Sequence, residues 1–136
     1  MNINQLLQIY PYEWTAIVTA LFCGTIIGLE RQFRGKPVGI RTSSLIVLGT
    51  YIFVATANSV SNDASDPSRI IGQVITGVGF LGAGVMLAKD GAVVGVTSAA
   101  TIWVLSAIGV AIANGTYLVA VILSFIVVLI LIGVDI

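Results

Sequence analysis

Long apolar runs separated by short polar stretches make up most of this chain. A transmembrane helix needs about 20 predominantly apolar residues, and five runs approach that length. We therefore predict five transmembrane helices, at residues 14–29, 42–57, 70–88, 92–113 and 117–134. The runs lack the strict alternation of a membrane barrel, so the predicted fold is all-α, a polytopic membrane helix bundle.

The polar stretches between the runs have the composition of loops and turns. Residues 58–65 form a polar segment, and residues 89–91 and 114–115 each end in glycine, which supplies the positive φ of a tight turn. We expect each stretch to connect two helices at the membrane surface.

Composition supports a membrane protein and excludes several kinds of site. The chain has 57% hydrophobic and 9% charged residues and a mean hydropathy of +1.07, whereas soluble domains are about 25% charged. Its 136 residues suffice for one transmembrane domain, residues 1–136. Without histidine, and with Cys23 as its one cysteine, the chain lacks the imidazole and thiolate ligands of common metal sites. We expect neither enzymatic activity nor a nucleic-acid partner.

Basic residues are concentrated in one loop and predict the orientation. The segment from Gly28 to Thr42, GLERQFRGKPVGIRT, joins the first two helices. Its four cations and Lys89 would share one side of the membrane, against Arg69 on the other, and that excess marks the cytoplasmic side. The N-terminus is then outside and the C-terminus is cytoplasmic. The four loop cations are also candidates for binding anionic lipid; they are Arg31, Arg34, Lys36 and Arg41.

Glu30 is the acid in this loop that orientation does not explain. A carboxylate at a helix C-terminus is disfavoured by the helix dipole and needs a cationic partner, for which Arg31 and Arg41 are the candidates. One interpretation is an ion pair that ties the first helix to the second. The alternative is an ion or headgroup site.

The third run begins with a second polar motif, Asp66-Pro67-Ser68-Arg69. Asp66 is a favourable N-cap and Pro67 suits the first helical position. Arg69 lies where the helix dipole disfavours a cation, so we expect it to pair with Asp66 or with an acid of another helix. Gln73, one turn later, is expected to form interhelical hydrogen bonds.

Glycines predict the packing surfaces of the bundle. The first helix carries Gly24 and Gly28 at the four-residue spacing that lets helices approach closely. The third helix carries five glycines on more than one face, which predicts a central position with neighbours on two sides; they are Gly72, Gly77, Gly79, Gly82 and Gly84. Such glycines can instead mark an unwound segment whose carbonyls face an ion. We expect Trp103 to fill space inside the bundle and the fifth helix to lie at its periphery.

Three long motifs of this chain resemble the membrane domain of the MgtC/SapB family of bacterial inner-membrane proteins. They are GLERQFRGKPVGIRT, DPSRIIGQVITGVGFLGAG and GVTSAATIWVLSAIG, and the resemblance extends from Gly24 to about Gly109. The family pattern coincides with Glu30, Arg31, Gln32, Gly39, Arg41 and Thr42, with Asp66, Pro67, Arg69, Gln73, Gly77, Gly79, Phe80, Gly82, Ala83 and Gly84, and with Ala99, Ala100, Thr101 and Trp103.

The resemblance implies a multi-pass inner-membrane protein. Its implied role is in magnesium homeostasis and in adaptation to low magnesium or acid stress. Virulence-type members regulate other membrane proteins, including the rotary ATP synthase, whereas other members are named as magnesium transporters. Some virulence-type members have Asn and Cys where this chain has Thr97 and Val104. The cytosolic ACT-like domain of many members is not expected here.

Two functions therefore stay open. The first is regulation through binding other membrane proteins, with a homodimer as the expected oligomer. The second is an ion pathway in which an oligomer assembles a ring of Glu30 or Asp66 around Mg²⁺. We predict one functional polar network at the two ends of the bundle, composed of Glu30, Arg31, Gln32, Arg41, Thr42, Asp66, Arg69 and Gln73.

Overall fold

A computed structural model describes residues 2–62 and 66–133 of the chain. The elements in order are α1 (Ile3–Leu6), α2 (Trp14–Phe33), α3 (Ile40–Val60), α4 (Pro67–Gly84), β1 (Leu87–Lys89), β2 (Ala92–Val94), α5 (Val96–Ala113) and α6 (Tyr117–Gly133). The fold is helical apart from one short hairpin.

The five long helices alternate in direction, so that the bundle has two distinct ends. The basic end contains the C-termini of α2 and α4, the N-termini of α3 and α5, and the hairpin. The tyrosine end contains the N-termini of α2, α4 and α6 and the C-termini of α3 and α5. The glutamate and aspartate motifs of the sequence therefore lie at opposite ends.

Three of the helices are long and apolar enough to cross a membrane: α2, α3 and α5. The described part of α6 is a shorter apolar helix. α4 is outside this group, because Pro67, Ser68, Arg69 and Gln73 make its first half polar. The membrane class is supported by the three spans, whereas the number of five crossings and the orientation stay predictions.

The helix bounds differ from the predicted ones mainly at the basic end. α2 continues through the charged residues to Phe33, and α3 begins at Ile40 and continues to Val60. The third predicted helix, 70–88, begins earlier at Pro67 and ends at Gly84, and the fourth, 92–113, begins at Val96. The prediction was wrong for residues 87–88 and 92–94, where an antiparallel hairpin pairs Leu87 with Val94 and Lys89 with Ala92. An apolar run alone does not distinguish a strand from a helix end.

Close backbone approach holds α2, α3 and α5 together. A methyl group at Gly24 would lie 2.6 Å from the Cα of Ser44, and one at Gly28 would lie 2.5 Å from the Cα of Ile40. A methyl group at Gly109 of α5 would lie 2.7 Å from the carbonyl oxygen of Val47. Both glycines of α2 thus serve the packing role predicted for them. The apolar core beside these contacts consists of small and branched side chains, among them Ala16, Ala20, Cys23, Ile27, Val47, Leu105 and Ile108.

α4 lies at the edge of the bundle, so the prediction of a central position was wrong within this chain. Its neighbours are α5 and α3, and its only buried residues are Val78 and Gly82. Gly82 faces Ala99 of α5, whereas nothing among the described residues lies within 4 Å of a methyl group placed at its other glycines, Gly72, Gly77, Gly79 and Gly84. α4 is helical throughout, so these glycines do not mark an unwound segment.

Candidate functional site

Glu30 and Arg34 form an ion pair at the basic end. The Nε of Arg34 lies 2.7 Å from the Oε1 of Glu30, and the two residues are one turn apart on α2. The Glu30 side chain is only 5% exposed, whereas that of Arg34 is 32% exposed. Within the described ranges, neither carboxylate oxygen accepts a well-directed hydrogen bond. The predicted pairing of Glu30 with Arg31 or Arg41 was wrong, because the i,i+4 spacing brings Arg34 to it first.

Arg31, the residue after Glu30, connects two helices. It is 4% exposed, and its Nη2 donates a hydrogen bond to the Oγ of Ser98 at the start of α5. Its Nε has no acceptor among the residues that the structure describes. Arg31 is therefore a buried cation that ties α2 to α5, rather than an exposed lipid-binding side chain.

Gln32 shapes the connection between α2 and α3. Its Oε1 accepts a hydrogen bond from the backbone N–H of Ile40 at 3.2 Å, and so supplies the cap that Gly39, the N-cap residue of α3, lacks. The buried Val38 has a φ of 72°, and its carbonyl accepts a hydrogen bond from the Ser43 hydroxyl at 3.1 Å. Side chains on both helices thus hold this link in a conformation that valine rarely adopts.

Three cations of the first predicted motif remain at the surface: Arg34, Lys36 and Arg41 are all exposed. Arg41 forms no ion pair with Glu30 in the described ranges. Thr42, the next residue of α3, lines a groove between α3 and α4. Of the first predicted motif, the structure therefore brings together Glu30, Arg31 and Arg34, and it places Arg41 and Thr42 on the outside.

The aspartate motif forms a helix cap at the tyrosine end. The Oδ1 of Asp66 accepts hydrogen bonds from the Ser68 hydroxyl at 2.7 Å and from the Ser68 backbone N–H at 3.0 Å. These bonds lower the pKa of the Asp66 carboxyl. Arg69 is exposed and forms no ion pair with Asp66 or with any other acid of the described residues, so the expected pairing is not found within them. Gln73 is exposed and lines the same groove as Thr42.

Sequence reasoning missed the two groups of side chains that cross between helices. One is Ser98, the partner of Arg31, which resembled several other small hydroxyl residues at the start of α5. The other is at the tyrosine end, where Tyr51 and Tyr117 both contact Glu13 and Tyr12 bonds to Thr56. A tyrosine inside the apolar run of α3 was the available signal, because a buried Tyr hydroxyl usually has a hydrogen-bond partner.

Trp103 does not fill the interior of this chain. It is 59% exposed on α5 and its indole donates no hydrogen bond to a described residue. Together with the open glycines of α4, it belongs to the lipid-facing or partner-facing surface.

The charges around Glu30 oppose a dication at this site. Residues 2–62 and 66–133 contain no group of three or more Cys, Asp or Glu side chains that could hold a metal ion. Glu30 is adjacent to two guanidinium groups, and Mg²⁺ is usually bound by one or two carboxylates without competing cations. Asp66 is a single exposed carboxylate that is already engaged by Ser68. The arrangement is suited to fixing helices through charge-assisted hydrogen bonds.

Comparison with known proteins places the chain in a family. The family model described as the MgtC family matches residues 17–136. An Escherichia coli (strain K12) protein with the name "Putative magnesium transporter YhiD" is 46% identical over 74% of this chain and 50% of its own length. MgtC proteins of Brucella abortus and Salmonella typhimurium are 41% and 39% identical, each over 74% of this chain and 42% of its own length. The chain thus spans about half the length of these relatives, and no solved structure matches it. The expected resemblance is confirmed: this chain belongs to the MgtC family.

Proposed function

We propose that this chain is a bacterial inner-membrane protein of magnesium homeostasis that acts by binding and regulating other membrane proteins. Family membership and the name of the Escherichia coli relative support the link to magnesium. Its expected setting is adaptation to low magnesium or acid stress. The proposed orientation has the basic end in the cytoplasm, where Arg34, Lys36 and Arg41 contact anionic lipid, each cation contributing about 1 kcal/mol.

The observation that carries the binding function is the open glycine surface of α4. In lipid, bare glycine backbone is the usual contact surface between helices, because it allows van der Waals contact over a long stretch. Gly24 and Gly28 of α2 are used in this way inside the chain, whereas no described residue lies within 4 Å of a methyl group placed at Gly72, Gly77, Gly79 or Gly84. α4 therefore has contact surface that the described part of its own chain does not use.

The two flanks of α4 differ in shape. Gly77 lines a groove of about 710 Å³ between α3 and α4, whose walls are mostly apolar and include Gly49, Phe53 and Leu81. Gly79 lies on the other flank, since residues two apart on a helix are about 200° apart. We assign the groove flank to a transmembrane helix of another membrane protein. The other flank, whose Gly79 does not line this groove, is assigned to a second copy of this chain, because a homodimer needs a self-complementary surface.

Leucine substitutions on the two flanks test these assignments against each other. Gly77→Leu should abolish support of growth at low magnesium in a strain without the endogenous protein, and should leave energy transfer between labelled copies in bilayers unchanged. Gly79→Leu should lower energy transfer between copies. Both variants should keep the wild-type amount of folded protein, because nothing in the described chain lies within 4 Å of either added side chain's first carbon. Wild-type growth and energy transfer from both variants would refute the proposal.

An oligomeric magnesium pathway is the second candidate, and one observation favours it. Both carboxylate oxygens of Glu30 are buried and accept no hydrogen bond from a described residue, and only Oε1 lies in the ion pair with Arg34, so Oε2 is left for another group to complete. Against this candidate, Arg31 and Arg34 make the same region electropositive. Flux of Mg²⁺ and protons into liposomes that contain the purified chain separates the two functions. Saturable flux that is lost in the Glu30→Gln variant would refute the regulatory function and support transport.

A further inference from the structure

A polar cleft at the tyrosine end contains none of the residues that the proposed function uses. Its volume is about 350 Å³, and its lining includes Tyr10, Glu13, Tyr51, Asn58, Asn114 and Tyr117. The cleft is bordered by the start of α2, the ends of α3 and α5, and the start of α6. It is therefore built from four helices.

Glu13 is held in an unusual way for its position. It is the N-cap residue of α2, but its carboxylate makes no capping hydrogen bond. Instead, its Oε2 accepts a hydrogen bond from the Tyr117 hydroxyl at 2.5 Å. Its backbone N–H donates to the Tyr51 hydroxyl at 2.9 Å. Two distant helices thus keep the carboxylate at the wall of the cleft, and Oε1 accepts no hydrogen bond from a described residue.

The electrostatics of the cleft favour a cation. Among the described residues that line it, Glu13 is the only charged one. The helix ends around the cleft do not add to this charge, because the C-termini of α3 and α5 there oppose the N-termini of α2 and α6. The faces of tyrosine rings attract cations as well. The Tyr51 ring is fixed by edge-to-face contact with Tyr12, at 6.3 Å between ring centroids.

We propose that this cleft binds an organic ammonium group. Aromatic rings combined with a carboxylate recognise ammonium cations, which can contact ring faces directly. Mg²⁺ demands octahedral oxygen ligands and dehydrates reluctantly, and the cleft offers it a single carboxylate. Ammonium of this kind is carried by phosphatidylethanolamine headgroups and by soluble amines.

The distribution of tyrosine makes the proposal directly testable. The chain has four tyrosines, and Tyr10, Tyr51 and Tyr117 line the cleft while Tyr12 contacts Tyr51. The full chain is labelled with fluorotyrosine, placed in phosphatidylglycerol nanodiscs and titrated with ethanolamine, with MgCl₂ and with NaCl, while ¹⁹F resonances are followed. Native mass spectrometry of the chain from mixed phosphatidylethanolamine and phosphatidylglycerol then measures which lipid stays bound.

The decisive variant is Glu13→Gln, whose amide oxygen still accepts the Tyr117 hydrogen bond. Asp66→Asn is the matched control, since it removes an acid at the same end that does not line the cleft. We expect saturable shifts with ethanolamine that Glu13→Gln weakens by about tenfold and that Asp66→Asn leaves unchanged. Retention of phosphatidylethanolamine that Glu13→Gln abolishes would assign the group to a lipid; ethanolamine binding without such retention would assign it to a soluble amine.

Three results would overturn the proposal. They are equal titration of wild type and Glu13→Gln, absence of ethanolamine shifts from the wild type, and tighter binding of Mg²⁺ than of ethanolamine. Tyr117→Phe gives a second check, because it frees the carboxylate without changing charge. It should weaken ethanolamine binding less than Glu13→Gln does.

Discussion

The glycines of α2 and those of α4 have opposite environments. Gly24 and Gly28 are buried against the backbone of α3, with no room for a methyl group. Gly77 and Gly79 meet no described atom within 4 Å of such a group. Both sets would be described from sequence as surfaces for helix packing. The difference shows that glycine content identifies a contact surface, whereas the partner is found only by locating the neighbouring backbone.

The largest expected difference in stability is between an alanine substitution in the buried glycines of α2 and one in the open glycines of α4. Gly28→Ala would bring a carbon to 2.5 Å from the Ile40 Cα, so α2 and α3 must separate. We expect the free energy of unfolding to fall by about 1–3 kcal/mol. Gly77→Ala should stay within about 0.5 kcal/mol of wild type. Reversible unfolding in mixed micelles, followed by circular dichroism, measures both, and equal values for the two variants would contradict the contrast.

The next effect, of similar size, is expected from the hydrogen bond between Arg31 and Ser98. Ser98→Ala removes the acceptor of a buried Arg31 hydrogen bond, which should lower the free energy of unfolding by about 1–3 kcal/mol. Thr97→Ala is the control, because Thr97 is exposed and its side chain makes no hydrogen bond to a described residue. If the two variants unfold alike in the same micelles, Arg31 does not stabilise the contact between α2 and α5.

The smallest expected effect is on the pH dependence of stability, through the Asp66 cap of α4. Hydrogen bonds from Ser68 lower the pKa of Asp66 in the folded state, while an unfolded Asp has a pKa of about 3.9. The ionised cap therefore stabilises α4 above that value, and this contribution disappears as the pH falls through the lowered folded pKa.

In the Asp66→Asn variant, the free energy of unfolding should consequently depend less on pH than in the wild type, and only in the acid range, below about pH 4. Unfolding curves measured from pH 7 downwards for wild type and variant provide the comparison. Parallel profiles throughout would exclude a stabilising role of the ionised cap.

The sequence predicted the features that depend on local chemistry. The helical class, the cap at Asp66 and the packing at Gly24 and Gly28 follow from the residues themselves. The edge position of α4 could not be predicted from the sequence, because Gly72 and Gly79 have the same spacing whether or not a neighbouring helix is present. The pairing of Arg31 with Ser98 joins residues that are 67 positions apart, and several other hydroxyl residues were equivalent candidates.

The tight turn at Gly95 brings the base of the hairpin against the end of α4. Gly95 has a φ of 90°, and a methyl group there would overlap the carbonyl oxygen of Val85, so the base of the hairpin closes directly on the end of α4. The end of α4 and the start of α5 are thereby held close together, with Ser98 one turn from the contact. We therefore expect a side chain introduced at Gly95 to disturb both the end of α4 and the nearby hydrogen bond between Ser98 and Arg31.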